Sequence, residues 1–305
     1  MSGNGYFATK TYRCGRIGEK VKFFVSYTRS RPGEKSSPAK IAGNANSAAR
    51  KLARAVNENF LPGDGWVALN YPEERYARVS DRAGEMDPEL PERDRIWFAA
   101  QHELELLMDR DRRALRKQGI QLRYIAVTSD LDGKTGESVR VHHHIVCPAE
   151  CVEVIKEKWG LPPAECKQRQ YERLWNVEDY TPLAEYMMKQ VRYIPNAKKY
   201  TPSRNLMRSE PSPRKVISGA RLRPPKGARL IYADPYTGER DCQYIRYLLP
   251  PEKWTGAWKG KGNENPDGGG GGDFSDVTRR AGTRGTSAAK CEDAAPGRGG
   301  APDGK

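Results

Sequence analysis

The chain lacks a run of apolar residues anywhere near the roughly 18 that a membrane-spanning helix needs. Its first ten residues, Met1 to Lys10, hold no apolar signal region either. These two absences predict a soluble, cytoplasmic protein. Paired cysteines are also missing. Cys14, Cys147, Cys151, Cys166, Cys242 and Cys291 form no CxxC pair and no dense framework, so they read as reduced thiols, with Cys147 and Cys151 too sparsely supported for a structural zinc site. No GxxxxGK[ST] loop is present, which excludes a P-loop helicase domain. Repeats and coiled-coil heptads are likewise absent. Acid is in short supply: 39 Asp and Glu stand against 53 Lys and Arg, for a net charge of +14. With 15 tyrosines against 6 phenylalanines, this balance favours an anionic polymer as partner, since cations release counterions from phosphates and tyrosine rings stack on bases.

The 305 residues suffice for a sizeable core. Val21, Phe23, Val25 and Tyr27 alternate, which predicts a strand within residues 15–28, followed by a basic loop from Pro32 to Pro38. Leu52, Val56 and Phe60 predict an amphipathic helix over 44–60, and WVALNY (66–71) a short buried strand. Trp97, Ala100, Leu104 and Leu107 mark a helix between Asp87 and Lys117. LRYIAVT (122–128) and 139–147 predict an antiparallel hairpin across the turn-rich link from Asp130 to Gly136. Helices are predicted over 149–159 and from Thr181 to Ile194, the latter with Thr181 as cap and Pro182 in its first turn. A basic loop from Lys198 to Arg214 then leads to a last hairpin, Leu230–Tyr232 with Tyr244–Tyr247, around a turn at 235–238. From about Gly256 the composition predicts a disordered Gly-rich tail.

Three of the four histidines, His142, His143 and His144, sit in one apolar run between Val141 and Ile145-Val146. Side chains alternate along a strand, so His142 and His144 share a face and His143 takes the other. Two neutral imidazoles on one face supply half the protein ligands of a divalent-metal site. On the next long helix, Tyr186, Lys189 and Tyr193 fall at helical spacing, and Tyr186 borders the buried stripe formed by Leu183, Met187, Val191 and Ile194. A phenol of ordinary pKa becomes a nucleophile when a cation or an ammonium such as that of Lys189 stabilises its phenolate. Metal held by His142 and His144 would polarise a phosphodiester while Tyr186 attacks, leaving a 5′-phosphotyrosine and a free 3′-hydroxyl.

The strand V-H-H-H-I-V followed by a helix bearing E-Y-M-M-K-Q resembles the HUH endonucleases. The order W-V-A-L-N-Y, R-Y-I-A-V-T-S-D, V-R-V-H-H-H-I-V, E-Y-M-M-K and K-Y-T-P-S-R-N-L, from about residue 45 to residue 210, is similar to the rolling-circle replication initiators of plasmids and small single-stranded DNA phages. The resemblance implies His142 and His144 as metal ligands, Tyr186 as nucleophile, Lys189 as its basic helper, and a divalent cation, Mg2+ or Mn2+, as cofactor. It makes Leu69-Asn70-Tyr71 a sheet and origin-recognition motif. The family's third ligand is often a polar or acidic residue on a neighbouring strand, which nominates Asp130, with Asp132 and Glu137 behind it. Two departures stand out. The middle residue of the motif, usually large and apolar, is His143, so strand alternation alone selects the ligating pair. The second tyrosine of some members is replaced by Gln190, which leaves a single-tyrosine mechanism or a role for Tyr180 or Tyr193.

Together these readings predict an α+β fold with a central, mostly antiparallel sheet and helices packed on one face, ferredoxin-like as in HUH nucleases. The expected parts are an N-terminal strand and basic loop (1–40), a catalytic domain with a C-terminal hairpin (41–250) and the tail (256–305). The expected activity is nicking of single-stranded or melted origin DNA to start rolling-circle replication, alongside host replication machinery in a bacterial cytoplasm. Lys198, Lys199, Arg204 and Arg208 are the expected DNA-backbone contacts. Two rivals remain: an HUH transposase or relaxase, and a non-catalytic basic nucleic-acid-binding or RNA-processing protein with structural histidines.

Overall fold

A computed structural model describes residues 5–27, 38–160, 171–175, 178–195, 197–218, 221–234 and 243–261. The basic loop preceding residue 38, the hairpin turn at 235–238, Cys166, Cys242, Cys291 and the tail beyond residue 261 lie outside them.

The architecture is α+β and both sheets are antiparallel, as the hydrophobic patterning predicts. In chain order the elements are β1 (Gly5–Cys14), β2 (Ile17–Ser26), α1 (Pro38–Asn59), β3 (Gly65–Asn70), α2 (Glu73–Gly84), α3 (Glu92–Lys117), β4 (Ile125–Leu131), β5 (Ser138–Cys147), α4 (Val152–Trp159), β6 (Tyr171–Arg173), α5 (Thr181–Lys189), β7 (Thr201–Pro202), β8 (Lys215–Ile217), β9 (Arg229–Ala233) and β10 (Gln243–Leu248). One sheet has the order β8-β1-β2-β10-β9 and the other β6-β3-β5-β4-β7. The first joins the N-terminal hairpin to the C-terminal one through β2 and β10, with Ile17 opposite Leu248 and Lys22 opposite Gln243. Such pairing between chain-distant segments leaves no local signature, and the sequence pattern predicts neither this sheet nor β1.

The second sheet places β5 at its centre, and helices cover both of its faces rather than the one expected. On one face, Val67, Leu69, Ala126, Ile145 and Cys147 pack with Ala100, Leu104 and Leu107 of α3 and with Ile155 and Trp159 of α4. On the other, Ile125, Val127 and Val146 pack with Leu52, Val56 and Phe60 of α1 and with Ala184 and Met187 of α5. Double coverage explains why Val141 and the residues from His143 to Cys147 are all buried. Helix α2, mostly charged, escapes prediction because it buries only Val79 and Ala83, one turn apart.

Helix α5 is shorter than its apolar stripe suggests. The Asp179 carboxylate, rather than Thr181, caps it, accepting from the Thr181 amide at 2.8 Å and the Thr181 hydroxyl at 2.6 Å. The helix stops at Lys189 because side chains from β4 and α3 capture the residues that follow. The buried Ser129 hydroxyl donates to the Gln190 carbonyl at 2.7 Å, and Arg192 reaches Asp130 and Asp94. The expected tail also begins later than Gly256: a 3-10 turn at Gly256–Trp258 buries Trp258 against α1.

Candidate active site

Backbone register fixes the centre of the site. His142, His143 and His144 of β5 stand opposite Asn70, Leu69 and Ala68 of β3, and opposite Ser129, Thr128 and Val127 of β4. His143 points toward α3 and α4. It is fully buried, its Nε2 lies 2.7 Å from the Tyr71 hydroxyl and its Nδ1 3.0 Å from the Thr128 hydroxyl, and Trp159 and Tyr71 pack on its ring. Burial first, and then its two histidine neighbours, push its pKa down to about 3.

His142 and His144 share the opposite face, ring centroids 4.9 Å apart. His142 is half-buried, with Nδ1 3.1 Å from the Arg140 carbonyl oxygen. That carbonyl can only accept, so Nδ1 carries the proton and Nε2 presents a lone pair. This is the arrangement typical of a metal-ligating histidine. His144 is buried between Trp66, whose Nε1–H donates to Nδ1 at 3.4 Å, and Gln190, whose Oε1 lies 2.9 Å from Nε2. Burial and His142 hold its pKa down at about 4, so at neutral pH the ring is neutral, the form that binds metal.

The same face receives the phenol. Tyr186 is half-buried, its ring 5.5 Å from that of Trp66 and 6.4 Å from that of His144, both edge-on. The β4–β5 loop closes over it at Gly133, where a Cβ would lie 2.9 Å from the phenol oxygen. The anchoring of Gln190, Arg192 and Asp179 described above sets the helix over the histidines.

Lys189 does not share this environment. It is exposed and borders a separate cavity with Arg50 of α1, Lys199 and Tyr244 of β10, because α5 turns it away from the sheet while Tyr186 packs toward β3. Tyr193 lies beyond the end of the helix and is 76% exposed. Tyr180 is buried, its hydroxyl donating to the Trp175 carbonyl at 3.0 Å.

The nominated acids are engaged elsewhere. Asp130 Oδ2 accepts from Arg93 Nε at 2.7 Å and from Arg192 Nε at 2.8 Å, so two guanidiniums neutralise it and it ties α3 and the exit of α5 to β4. Asp132 shapes the hairpin turn by accepting from the amides of Lys134 and Thr135. Glu137 is exposed. Among the described residues no group of three or more His, Cys, Asp and Glu is arranged to hold a metal ion.

Gln190 is the donor that the sequence reading overlooked. Its signal was the i, i+4 spacing from Tyr186, which sets both residues on one helix face. The 2.9 Å between His144 Nε2 and Gln190 Oε1 matches one edge of an octahedron with ligand distances of about 2.1 Å, roughly 3.0 Å. His144 Nε2 and Gln190 Oε1 could therefore share a divalent cation, with the His142 ring on the same face. One adjustment is required: the His144 proton moves from Nε2 to Nδ1 and the Trp66 indole turns away. At 3.4 Å that indole contact is long, and little is lost with it.

Lys198, Arg204 and Arg208 are exposed and Lys199 half-buried on the segment that follows α5. That segment is pinned by β7 pairing with β4 and by the Ser203 hydroxyl accepting from the Tyr124 amide at 3.0 Å. Comparison with protein-family models, with curated proteins and with solved structures returned no match.

Proposed function

We propose that this chain cuts single-stranded or melted DNA through Tyr186 and retains the strand as a covalent adduct, acting as a rolling-circle replication initiator of the HUH type. The observation that supports it most is the placement of the Tyr186 ring beside His144, on the face that His142 and His144 share. A divalent cation such as Mg2+ or Mn2+ at the two histidines and Gln190 would supply charge neutralisation on the scissile phosphate. In the reaction, Tyr186 Oη bonds to phosphorus and loses its proton to solvent. The bond from phosphorus to the 3′-oxygen breaks, and that oxygen takes up a proton as the free 3′-hydroxyl. The phosphodiester's bond energy is conserved in the phosphotyrosine, so the strand can be rejoined or extended. Burial of His144 and Trp66 around the phenol keeps that face partly dry, which strengthens each electrostatic contact there. Host polymerases extending the 3′-hydroxyl, in a bacterial cytoplasm, complete the reading.

One observation favours the non-catalytic rival: Trp66, His144 and Gln190 already satisfy one another as a closed hydrogen-bonded chain. A labelled single-stranded oligonucleotide incubated with the protein and Mn2+ separates the two. The proposal expects a DNA adduct that survives denaturant, is lost on chelation with EDTA, and is abolished in Tyr186→Phe. An adduct that persists in Tyr186→Phe moves the nucleophile elsewhere, and no adduct from the unaltered protein on origin-derived DNA leaves the binding reading in its place.

A further inference from the structure

Lys189 borders a cavity lined by basic and aromatic side chains. It encloses about 460 Å³ between α1, α5 and the β9–β10 hairpin, within the range of small-ligand sites. Four cations border it, Arg50, Lys189, Lys199 and Arg246, against two acids, Glu185 and Asp234. Arg50 lies 4.0 Å from Asp234 and Arg246 3.2 Å from Asp179, whereas no ion pair engages Lys189 or Lys199 among the described residues. Two tyrosines complete the wall. The Tyr232 ring is 41% exposed on β9 and has the Arg246 guanidinium 5.0 Å from its centroid; Tyr244 has Arg50 at 3.9 Å. Tyr244 is 95% buried, yet its hydroxyl has no hydrogen-bond partner among the described residues. A buried hydroxyl left unmatched beside a cavity is costly unless something that enters the cavity pairs with it.

We propose that this cavity binds one nucleotide of a single-stranded DNA, with Lys189 and Lys199 on its phosphate, Tyr232 under its base and the Tyr244 hydroxyl as a hydrogen-bonding partner. Each group matches a requirement of such a ligand: two lysines that no ion pair engages among the described residues for the phosphate, an exposed ring beside a guanidinium for stacking, and a wall polar enough to read the sugar or base edge. The cavity lies on the flank of α5 away from His144, so a strand lying across α5 would place a flanking nucleotide here while another reaches Tyr186. That consequence rests on the nicking reading; the binding itself does not.

The test is fluorescence anisotropy of the full chain with a fluorescein-labelled 12-nucleotide oligo(dT), in EDTA so that no cleavage occurs, over a series of salt concentrations. Lys189→Ala combined with Lys199→Ala should lower the slope of log affinity against log salt by about 0.7, the contribution of the one single-strand phosphate that the two lysines share. Tyr232→Ala should weaken binding about tenfold with the slope unchanged. Lys117→Ala, at the distant end of α3, should behave as the unaltered protein, and thermal melting should show every variant folded. Affinity and slope unchanged in the double lysine variant, or Tyr232→Ala binding as tightly as the unaltered chain, would overturn the proposal. If the cavity variants weaken binding but no adduct forms with Mn2+, the nicking reading falls and the cavity stands. If adduct forms while these variants bind normally, the cavity assignment falls alone.

Discussion

His143 and its two neighbours occupy consecutive positions of one strand, yet their surroundings differ as much as any two places in the molecule. On the α3 side, His143 has both ring nitrogens matched by hydroxyls, those of Tyr71 and Thr128, in a shell of Trp159 and leucines. On the α5 side, His142 is half-exposed and His144 meets a donor, an amide oxygen and a phenol. One face has a fully matched set of partners and the other a set that can be rearranged. Identical side chains at adjacent positions thus meet different surroundings according to what the neighbouring strands and helices bring, which in a sheet is decided by register.

Removing the ligands sharpens this contrast most. His142→Ala should lower Mn2+-dependent adduct formation at least a hundredfold while leaving the thermal midpoint within a few degrees, because the ring is half-exposed and its loss opens no core cavity. His143→Ala should do the reverse. It takes one of two partners from each of the Tyr71 and Thr128 hydroxyls and empties a fully buried site, costing about 2–4 kcal/mol in urea unfolding. If His143→Ala melts like the parent, or His142→Ala is the unstable one, the division of the two faces is wrong.

The histidine face was legible from the sequence because alternation is a local rule, and the antiparallel β4–β5 hairpin because its turn residues are local too. Leu52, Val56, Phe60, Leu104 and Leu107 are buried as their helical spacing predicts. What stayed hidden depends on residues distant in the chain. The pairing of β2 with β10 joins opposite ends of the described chain, and the capture of Gln190 and Arg192 by Ser129, Asp94 and Asp130 ends α5 although Val191 and Ile194 continue its stripe. Asp130 was nominated as a ligand from its place on the strand adjoining the histidines; Arg93 and Arg192, which neutralise it, come from two other elements. Spacing likewise grouped Lys189 with Tyr186, while Tyr186 packs on Trp66 and His144 and Lys189 is exposed on the border of a cavity.

The α3 side also holds a buried acid without matched partners, and that acid provides a second test. Asp111 is fully buried on α3 with neither carboxylate oxygen hydrogen-bonded among the described residues, and burial, opposed by Arg110 and Lys158, raises its pKa to about 7. An unfolded aspartate titrates near 3.9, so folding takes up a proton between about pH 4 and 7. The native state therefore holds an unfavourable charge above pH 7 and is relieved of it as pH falls. Asp111→Asn should stabilise the protein by roughly 2–3 kcal/mol at pH 8, with the gain shrinking toward zero near pH 4, read from urea midpoints across that range. A gain independent of pH would mean that the carboxylate titrates alike in the folded and the unfolded chain.

The smallest expected effect probes the reactive face through its roof. A Cβ at Gly133 would lie 2.9 Å from both the Tyr186 hydroxyl and Cε2 and 3.0 Å from Gln190 Cδ, closer than side-chain carbons pack, so Gly133→Ala must push the phenol or the amide by a few tenths of an ångström. Both are the far ends of adjustable side chains, and stability should change by less than about 1 kcal/mol. The adduct rate should respond more, falling about threefold to tenfold, because in-line attack is sensitive to displacement of the nucleophile. Gly84→Ala, at the end of α2 with nothing within 4 Å of the added carbon, is the matched control: it should leave the adduct rate unchanged and stabilise the helix by at most about 1 kcal/mol. If Gly133→Ala forms adduct at the parental rate, the phenol does not react from beneath this loop, and the reactive face extends no further than the two imidazoles and Gln190.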